Sequence, residues 1–395
     1  MLQKAKNYYH LLQAVRAVRK YKNPSSGLTI IGVTGTDGKT TTASLIHHIL
    51  KETGQRTALI STVAAYIDDK RYDTGLHTST PDSLVLQSYI AKAKRAGITH
   101  LVLEVTSHAL DQHRVHGVHF NVGVLTNISH EHLDYHKSIQ EYMDVKARLL
   151  INSDVAVINH DDSSYSFMSQ KLKGKKVVSY GLTTPANSNL INHRFKTDLL
   201  GDFNKLNILA ALTVADILGI DPGKSSAAIT SFKLPVGRID IVYDKDFKII
   251  IDFAHTPNAL ENILKTFKNG ENKGRLIHVF GSAGERDLSK RPLMGEASGK
   301  YSDIIILTSE DPRTESPEKI AEDIRSGIDK DYQNISFIND RQQAISNAIR
   351  QAKKDDIVII TGKGHEKSMN MGDGEEPWSD HKAVEGALKE LGIRS

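Results

Sequence analysis

The sequence predicts an α/β protein of two domains, each built on a largely parallel sheet, and three observations predict it. Short apolar runs recur along the chain and alternate with segments of helical period, the rhythm of βα units. A glycine-rich turn falls where the first such run meets the first such helix. The series breaks at Leu234-Pro235-Val236-Gly237, whose proline and glycine suit a hinge, and then starts again. A chain of 395 residues, 39% of them hydrophobic, has material for two cores and exceeds one typical domain.

In chain order, residues 1–27 read as a basic amphipathic helix and its exit turn. Lys4, Lys6, Arg16, Arg19, Lys20 and Lys22 all precede the first acidic residue, Asp37. Tyr8, Leu11, Leu12, Val15 and Val18 fall at helical spacing, a stripe to dock on a neighbouring domain. The same helix would also suit a peripheral contact with an anionic membrane face, a protein or a phosphorylated substrate. Leu28 to Thr34 is the first buried strand, and a helix follows from about Thr40. Further strands are expected at Ala58–Ser61, His100–Val105, Val122–Ile128 and Val155–Ile158, giving a first domain over 28–235. The second series, over 236–395, places strands at Lys248–Phe253, Leu276–Phe280, Asp303–Leu307 and Asp356–Ile360.

Composition removes several function classes. Without cysteine there is no disulfide framework and no thiolate metal site. No apolar run reaches membrane-spanning length and the N-terminus lacks the apolar stretch of a secretion signal, so a cytoplasmic address is expected. A net charge of +4 with no aromatic-studded basic motif gives no reason to expect nucleic acid. The seven histidines between His108 and His136 lack a His-Glu-x-x-His pattern, which argues against zinc.

The chemistry starts at Gly35-Thr36-Asp37-Gly38-Lys39-Thr40-Thr41. Between a strand and a helix N-terminus, its backbone N–H groups can cradle phosphates. Lys39 would neutralise the β and γ groups and the Thr40 hydroxyl would hold Mg²⁺. The loop is two residues shorter than the general P-loop pattern. Glu104 ends an apolar run, where a carboxylate could serve Mg²⁺, a cation that prefers oxygen.

The short loop GTDGKTTT resembles the signature of the Mur ligase family, which usually has Asn in place of Asp37. Other segments match in the family's order: HTSTPDSL, LEVTSHALDQHRV, TNISHEHLDYH, DVKARLL, GDFNKLNILAA, GRID, DFAHTPNALENIL, GERDLSKRPLMG, EDPR and GKGHE. Within the family the closest resemblance is to the branch that adds the third amino acid of the peptidoglycan precursor peptide. It implies a P-loop Mur ligase central domain followed by a Rossmann-like α/β C-terminal domain.

The resemblance further implies that His132 helps to hold a second Mg²⁺ and that Lys146 is carbamylated, turning a cation into an anionic oxygen ligand. Lys39, Glu104, His132 and Lys146 would then be the catalytic set. Asn207, Arg238, Asp252 and His255 would contact the base and ribose of ATP, the last three from beyond the hinge. Ser79, Thr80, Thr106, Gln112 and Arg114 would meet a muramyl-peptide precursor, and Arg286, Glu310, Asp311, Arg313, Gly362 and Glu366 the diamino acid. The family pattern for meso-diaminopimelate is Asp-Asn-Pro-Arg, and here Glu310-Asp311-Pro312-Arg313 stands in its place. Arg313 can pair with a distal carboxylate and favours diaminopimelate, whereas Asp311 welcomes an ammonium group and leaves L-lysine open.

The expected reaction is two-step: the precursor's carboxylate takes the γ-phosphoryl group of ATP, and the amine displaces phosphate from the acyl phosphate. Full-length relatives carry a further domain at the front that binds the uridine diphosphate end of the precursor, and this sequence has only the basic helix there. A ligase acting on another carboxylate donor, and a non-catalytic ATP-binding partner subunit, therefore stay open as alternatives.

Overall fold

The computed structural model describes residues 2–68, 70–72, 80–183, 185–270 and 274–393, with side chains from residue 6 onward. It divides into two compact units, one of Met1–Ser129 with Lys137–Pro235, the other of His130–His136 with Val236–Ser395.

The first unit runs α1 (Leu2–Lys20), β1 (Thr29–Thr34), α2 (Lys39–Glu52), β2 (Thr57–Ile60), β3 (Ala65–Ile67), β4 (Lys70–Tyr72), α3 (Ser83–Arg95), β5 (His100–Glu104), α4 (Ser107–Asp111) and β6 (Phe120–Leu125). The chain then crosses α5 (Leu133–His136), which belongs to the other unit, and returns through α6 (Ile139–Ile151), β7 (Ser153–Asn159), α7 (Tyr165–Lys171), β8 (Lys176–Tyr180), α8 (Asp202–Ile217) and α9 (Pro222–Ser231). The eight strands lie in the order β4-β3-β2-β5-β1-β6-β7-β8, parallel from β2 to β8, with an antiparallel β3–β4 edge. β1 has β5 on one side and β6 on the other. β1 leads through α2 to β2 on the first side and β6 leads through α6 to β7 on the second, so the connections leave these neighbouring strand ends in opposite directions. Such a switch point opens a crevice at the strand ends, and the glycine turn sits in it.

Helix packing follows the apolar periodicity. On one face Leu45, Ile46 and Ile49 of α2 meet Ile208, Leu209 and Leu212 of α8 and Ile229 of α9. On the other, Leu86 and Ile90 of α3 and Val145 and Leu149 of α6 cover the sheet. The N-terminal helix packs on α3 of its own unit. It buries Ala14 and Ala17 and half-buries Leu11, Val15 and Val18, but leaves Tyr8 and Leu12 of the expected stripe exposed. The buried line thus runs through small residues, which let two helices approach closely. Among the described residues no helix is long and apolar enough to cross a membrane.

The second unit runs β9 (Asp240–Asp244), β10 (Lys248–Ile251), α10 (Pro257–Lys268), β11 (Leu276–Phe280), α11 (Lys290–Tyr301), β12 (Ile304–Leu307), α12 (Pro317–Arg325), β13 (Ile335–Phe337), α13 (Arg341–Gln351), β14 (Ile357–Ile360), β15 (Ser368–Asn370), β16 (Glu375–Pro377) and α14 (Asp380–Glu390). Its sheet has the order β13-β12-β11-β14-β10-β9, all parallel except the β9 edge. Helices α10, α11 and α12 cover one face, α13 and α14 the other. The segment 130–136 joins this unit through polar anchors: Lys290 Nζ lies 3.2 Å from Glu131 Oε1, and the Leu133 N–H donates to Asp287 Oδ2 at 3.1 Å.

Candidate active site

Gly38 turns the loop into α2 with φ +78°, a left-handed conformation that glycine adopts without strain. A Cβ there would fall 2.5 Å from Asn207 Oδ1, so the turn needs glycine for space as well as for backbone angle. The rest of the loop is pinned to the end of β6. The Thr36 N–H donates to Asn127 O at 2.9 Å and the Asp37 N–H to Asn127 Oδ1 at 2.9 Å. Thr126 Oγ1 donates back to Asp37 O at 2.6 Å. The sequence placed Thr126-Asn127 only within the expected strand Val122–Ile128, and gave no sign that they hold the phosphate loop.

The buried residues beneath the loop form a set of hard oxygen donors. Thr40 Oγ1 donates to Glu104 Oε2 at 3.0 Å, and Thr62 donates to the same carboxylate from its backbone N–H at 3.1 Å and its hydroxyl at 2.8 Å. Thr40 and Glu104 are buried on adjoining elements, and a hydroxyl beside a carboxylate suits Mg²⁺. Lys39 Nζ folds back onto Thr36 O at 2.7 Å, across the loop it would serve. Asn207, on α8, accepts from Thr42 Oγ1 at 3.1 Å and lies against Gly38. Lys146, on α6, is 1% exposed, donates to Gly35 O at 2.6 Å and lies 4.4 Å from the centre of the Tyr142 ring. A lysine head this deep beside the phosphate loop departs from the ordinary solvated helix lysine.

At the end of β5 the residues expected to meet the peptide precursor form a connected network. Thr80 Oγ1 donates to Glu104 O at 2.9 Å and accepts from the Thr106 N–H at 3.1 Å. Thr106 Oγ1 caps α4 by accepting from the Ala109 N–H at 3.1 Å. Arg114 Nη1 donates to Thr80 O at 2.7 Å, and its Nε and Nη2 both donate to Gln112 Oε1. Ser79 lies outside the described residues.

Arg238, Asp252 and His255 gather in the second unit. The Arg238 guanidinium lies 4.6 Å from the centre of the Phe253 ring, and the His255 and His365 rings pack against the same phenyl. Asp252 accepts from the Ile239 and Ala254 N–H groups, each at 2.7 Å, so this carboxylate also shapes the turn around Arg238. His132 belongs to this unit as well, in a left-handed conformation with φ +58° and Nδ1 3.8 Å from Glu131 Oε1. The structure therefore brings Lys39, Thr40, Glu104, Lys146 and Asn207 together in the first unit, and His132 with Arg238, Asp252 and His255 in the second.

The residues expected for the diamino acid also share the second unit. Arg313 Nη1 donates to Gly284 O at 2.6 Å. The Arg286 guanidinium is held below its usual range, by burial first and then by the charge of Arg313. Burial pushes the Glu310 carboxyl up to about 8 against the pull of Arg341 and Lys290, and its Oε2 has no hydrogen-bond partner. A Cβ on Gly362 would come within 2.2 Å of that oxygen, which explains the glycine. Asp311 does not offer a bare anion, as the sequence suggested: Lys363 Nζ lies 2.7 Å from its Oδ1 and 2.6 Å from Glu366 Oε2. Lys363 went unnoticed in the sequence, although it stands in GKGHE, three residues after the end of the buried strand β14.

Both halves of the chain match known family domains. Residues 33–215 match the Mur ligase middle domain and residues 237–364 the Mur ligase, glutamate ligase domain. A UDP-N-acetylmuramoyl-L-alanyl-D-glutamate–2,6-diaminopimelate ligase of Aquifex aeolicus is 40% identical over 388 residues, 93% of this chain and 79% of that protein. The enzyme of the same name from Caldanaerobacter subterraneus is 40% identical over 94% of this chain and 80% of its own. A solved structure of a ligase with this name superposes with a TM-score of 0.62 at 34% identity, covering 93% of this chain and 80% of that one. Folylpolyglutamate synthase of Mycobacterium tuberculosis, at 18% identity, shares the fold with a TM-score of 0.72 over 98% of this chain and 96% of that one. With both family domains matched in order and this identity sustained across the chain, the protein belongs to the Mur ligase family.

Proposed function

We propose that the protein joins meso-diaminopimelate to the D-glutamate carboxylate of UDP-muramoyl-L-alanyl-D-glutamate at the expense of ATP, a step of peptidoglycan biosynthesis. The observation that carries this reading is the 40% identity to ligases of that name, which spans both the phosphate loop and the Arg313 segment. Mur ligases depend on ATP and Mg²⁺. The first-unit residues fit both: a loop whose Gly38 leaves no room for a side chain, and a buried Thr40–Glu104 oxygen pair. When bound there, Mg²⁺ would offset phosphate charge, held by Thr40 and Glu104; the family resemblance implies further ligands in a carbamylated Lys146 of the first unit and His132 of the second.

The chain's own residues account for the rest. Loop N–H groups and Lys39 orient the γ-phosphate and draw off its charge, letting an anionic carboxylate approach it. The carboxylate oxygen bonds to phosphorus as the bond to ADP breaks. The amine then attacks the acyl carbon, phosphate leaves, and the amide nitrogen loses its proton. Thr80, Thr106, Gln112 and Arg114 are suited to hold the donor peptide, and Arg313 with Arg286 the carboxylate of the acceptor.

The test is phosphate release from ATP with Mg²⁺ and the muramoyl dipeptide, comparing meso-diaminopimelate, L-lysine and no amine. Turnover that requires diaminopimelate is expected. Turnover without amine, or with lysine alone, would overturn the reading.

A further inference from the structure

The second unit holds a buried charge cluster that the reaction as described leaves unused. Lys363 is fully buried, and its ammonium bridges Asp311 at 2.7 Å and Glu366 at 2.6 Å. The same Asp311 oxygen accepts from the Asn370 N–H at 2.9 Å, which fixes the carboxylate on the ammonium side. Burial pulls the Lys363 pKa down, but the carboxylates of Glu366 and Asp311 outweigh it and hold it above the usual lysine range. Asp311 is itself buried, in a left-handed backbone conformation with φ +45°, and Arg313, φ +54°, follows two residues later.

A buried carboxylate with no counter-ion would repel a ligand carboxylate and attract a ligand ammonium. At the position next to Arg313 it would select a diamine with one carboxylate. We propose that Lys363 is a specificity-determining positioning residue, which neutralises Asp311 from within the fold so that a diamino dicarboxylate can be accepted beside Arg313. The inference deepens the function proposed above and rests on it.

The same ATP-dependent assay, run with meso-diaminopimelate and with L-lysine, tests it through the ratio of their kcat/KM values. In Lys363→Met the ratio should fall about tenfold or more towards lysine, since the distal carboxylate of diaminopimelate would then face an uncompensated like charge. Adding Asp311→Asn to that variant should restore most of the ratio, because the carboxylate two residues from Arg313 is then neutral and only Glu366 keeps its charge. Asp311→Asn alone, which keeps the buried ammonium, should retain the wild-type preference and supplies the answer if Lys363→Met does not fold.

Equal losses with both amines and no rescue by Asp311→Asn would make Lys363 a merely structural residue and overturn the inference. A shift of Asp311→Asn alone towards lysine would also overturn it. A wild-type protein inactive with both amines would sink the proposed function and this inference together. Diaminopimelate turnover with an unmoved ratio in Lys363→Met would sink only the inference.

Discussion

Glu310 is a carboxyl held largely protonated at neutral pH by burial, and its pKa of about 8 has a consequence for stability. An acid whose pKa is raised on folding binds more protons native than unfolded, so it favours the fold at low pH. That contribution is complete below the unfolded carboxylate pKa of about 4.5 and is lost as pH rises through about 8. Glu310→Gln should therefore melt close to the wild type at pH 5 and several degrees above it at pH 9, read by calorimetry; equal pH slopes would contradict the shift. Lys146 is a second ionisable side chain out of reach of solvent, buried beside the phosphate loop with Nζ donating to Gly35 O. Lys146→Ala should remove turnover in the phosphate-release assay, and bicarbonate should not restore it. Full activity would end the carbamate proposal.

The phosphate loop and its helix act as one element, and Gly38 is the residue both depend on. In Gly38→Ala the left-handed angle is strained and the methyl meets Asn207, so the loop must shift. ATP affinity should fall about tenfold or more, a loss of at least 1.4 kcal/mol, measured by calorimetric titration. Helix α4 depends on its cap, and Thr106→Ala should cost about 1 kcal/mol of stability, whereas Thr106→Ser should cost little. Elements like these were legible in the sequence because strong local signals specify them. Glycine and hydroxyl spacing marked the loop, and unbroken apolar runs marked the central strands. The β3–β4 and β15–β16 pairs were missed because three-residue strands carry no readable period. Strands β8 and β9 lie at sheet edges, where exposed residues such as Lys176 and Asp244 break the apolar run. The Lys363 bridge was missed for a different reason: its partners stand 52 residues before it and three after, a pairing made only by the fold.

At the scale of the whole molecule, the second unit is assembled from two separate stretches of chain. Lys290 and Glu131 are both nearly buried, with Lys290 also donating to His255 O at 2.9 Å. Removing one member of such a pair leaves an uncompensated buried charge. Glu131→Leu should destabilise this unit by about 3–5 kcal/mol, read as a lower urea midpoint, and the double change Glu131→Leu with Lys290→Met should recover most of the loss. No loss in the single variant would mean that solvent already screens the pair. The same pairing sets a schedule for synthesis. Glu131 is made 159 residues before Lys290; at about 5–20 residues per second its partner follows on the order of ten seconds later. In the last third of that interval the first unit's chain is complete on both sides of 130–136 up to Pro235, while this short stretch still lacks its Lys290 partner. A ribosome stalled before residue 290 should leave it open to protease, and one stalled near the end of the chain should not.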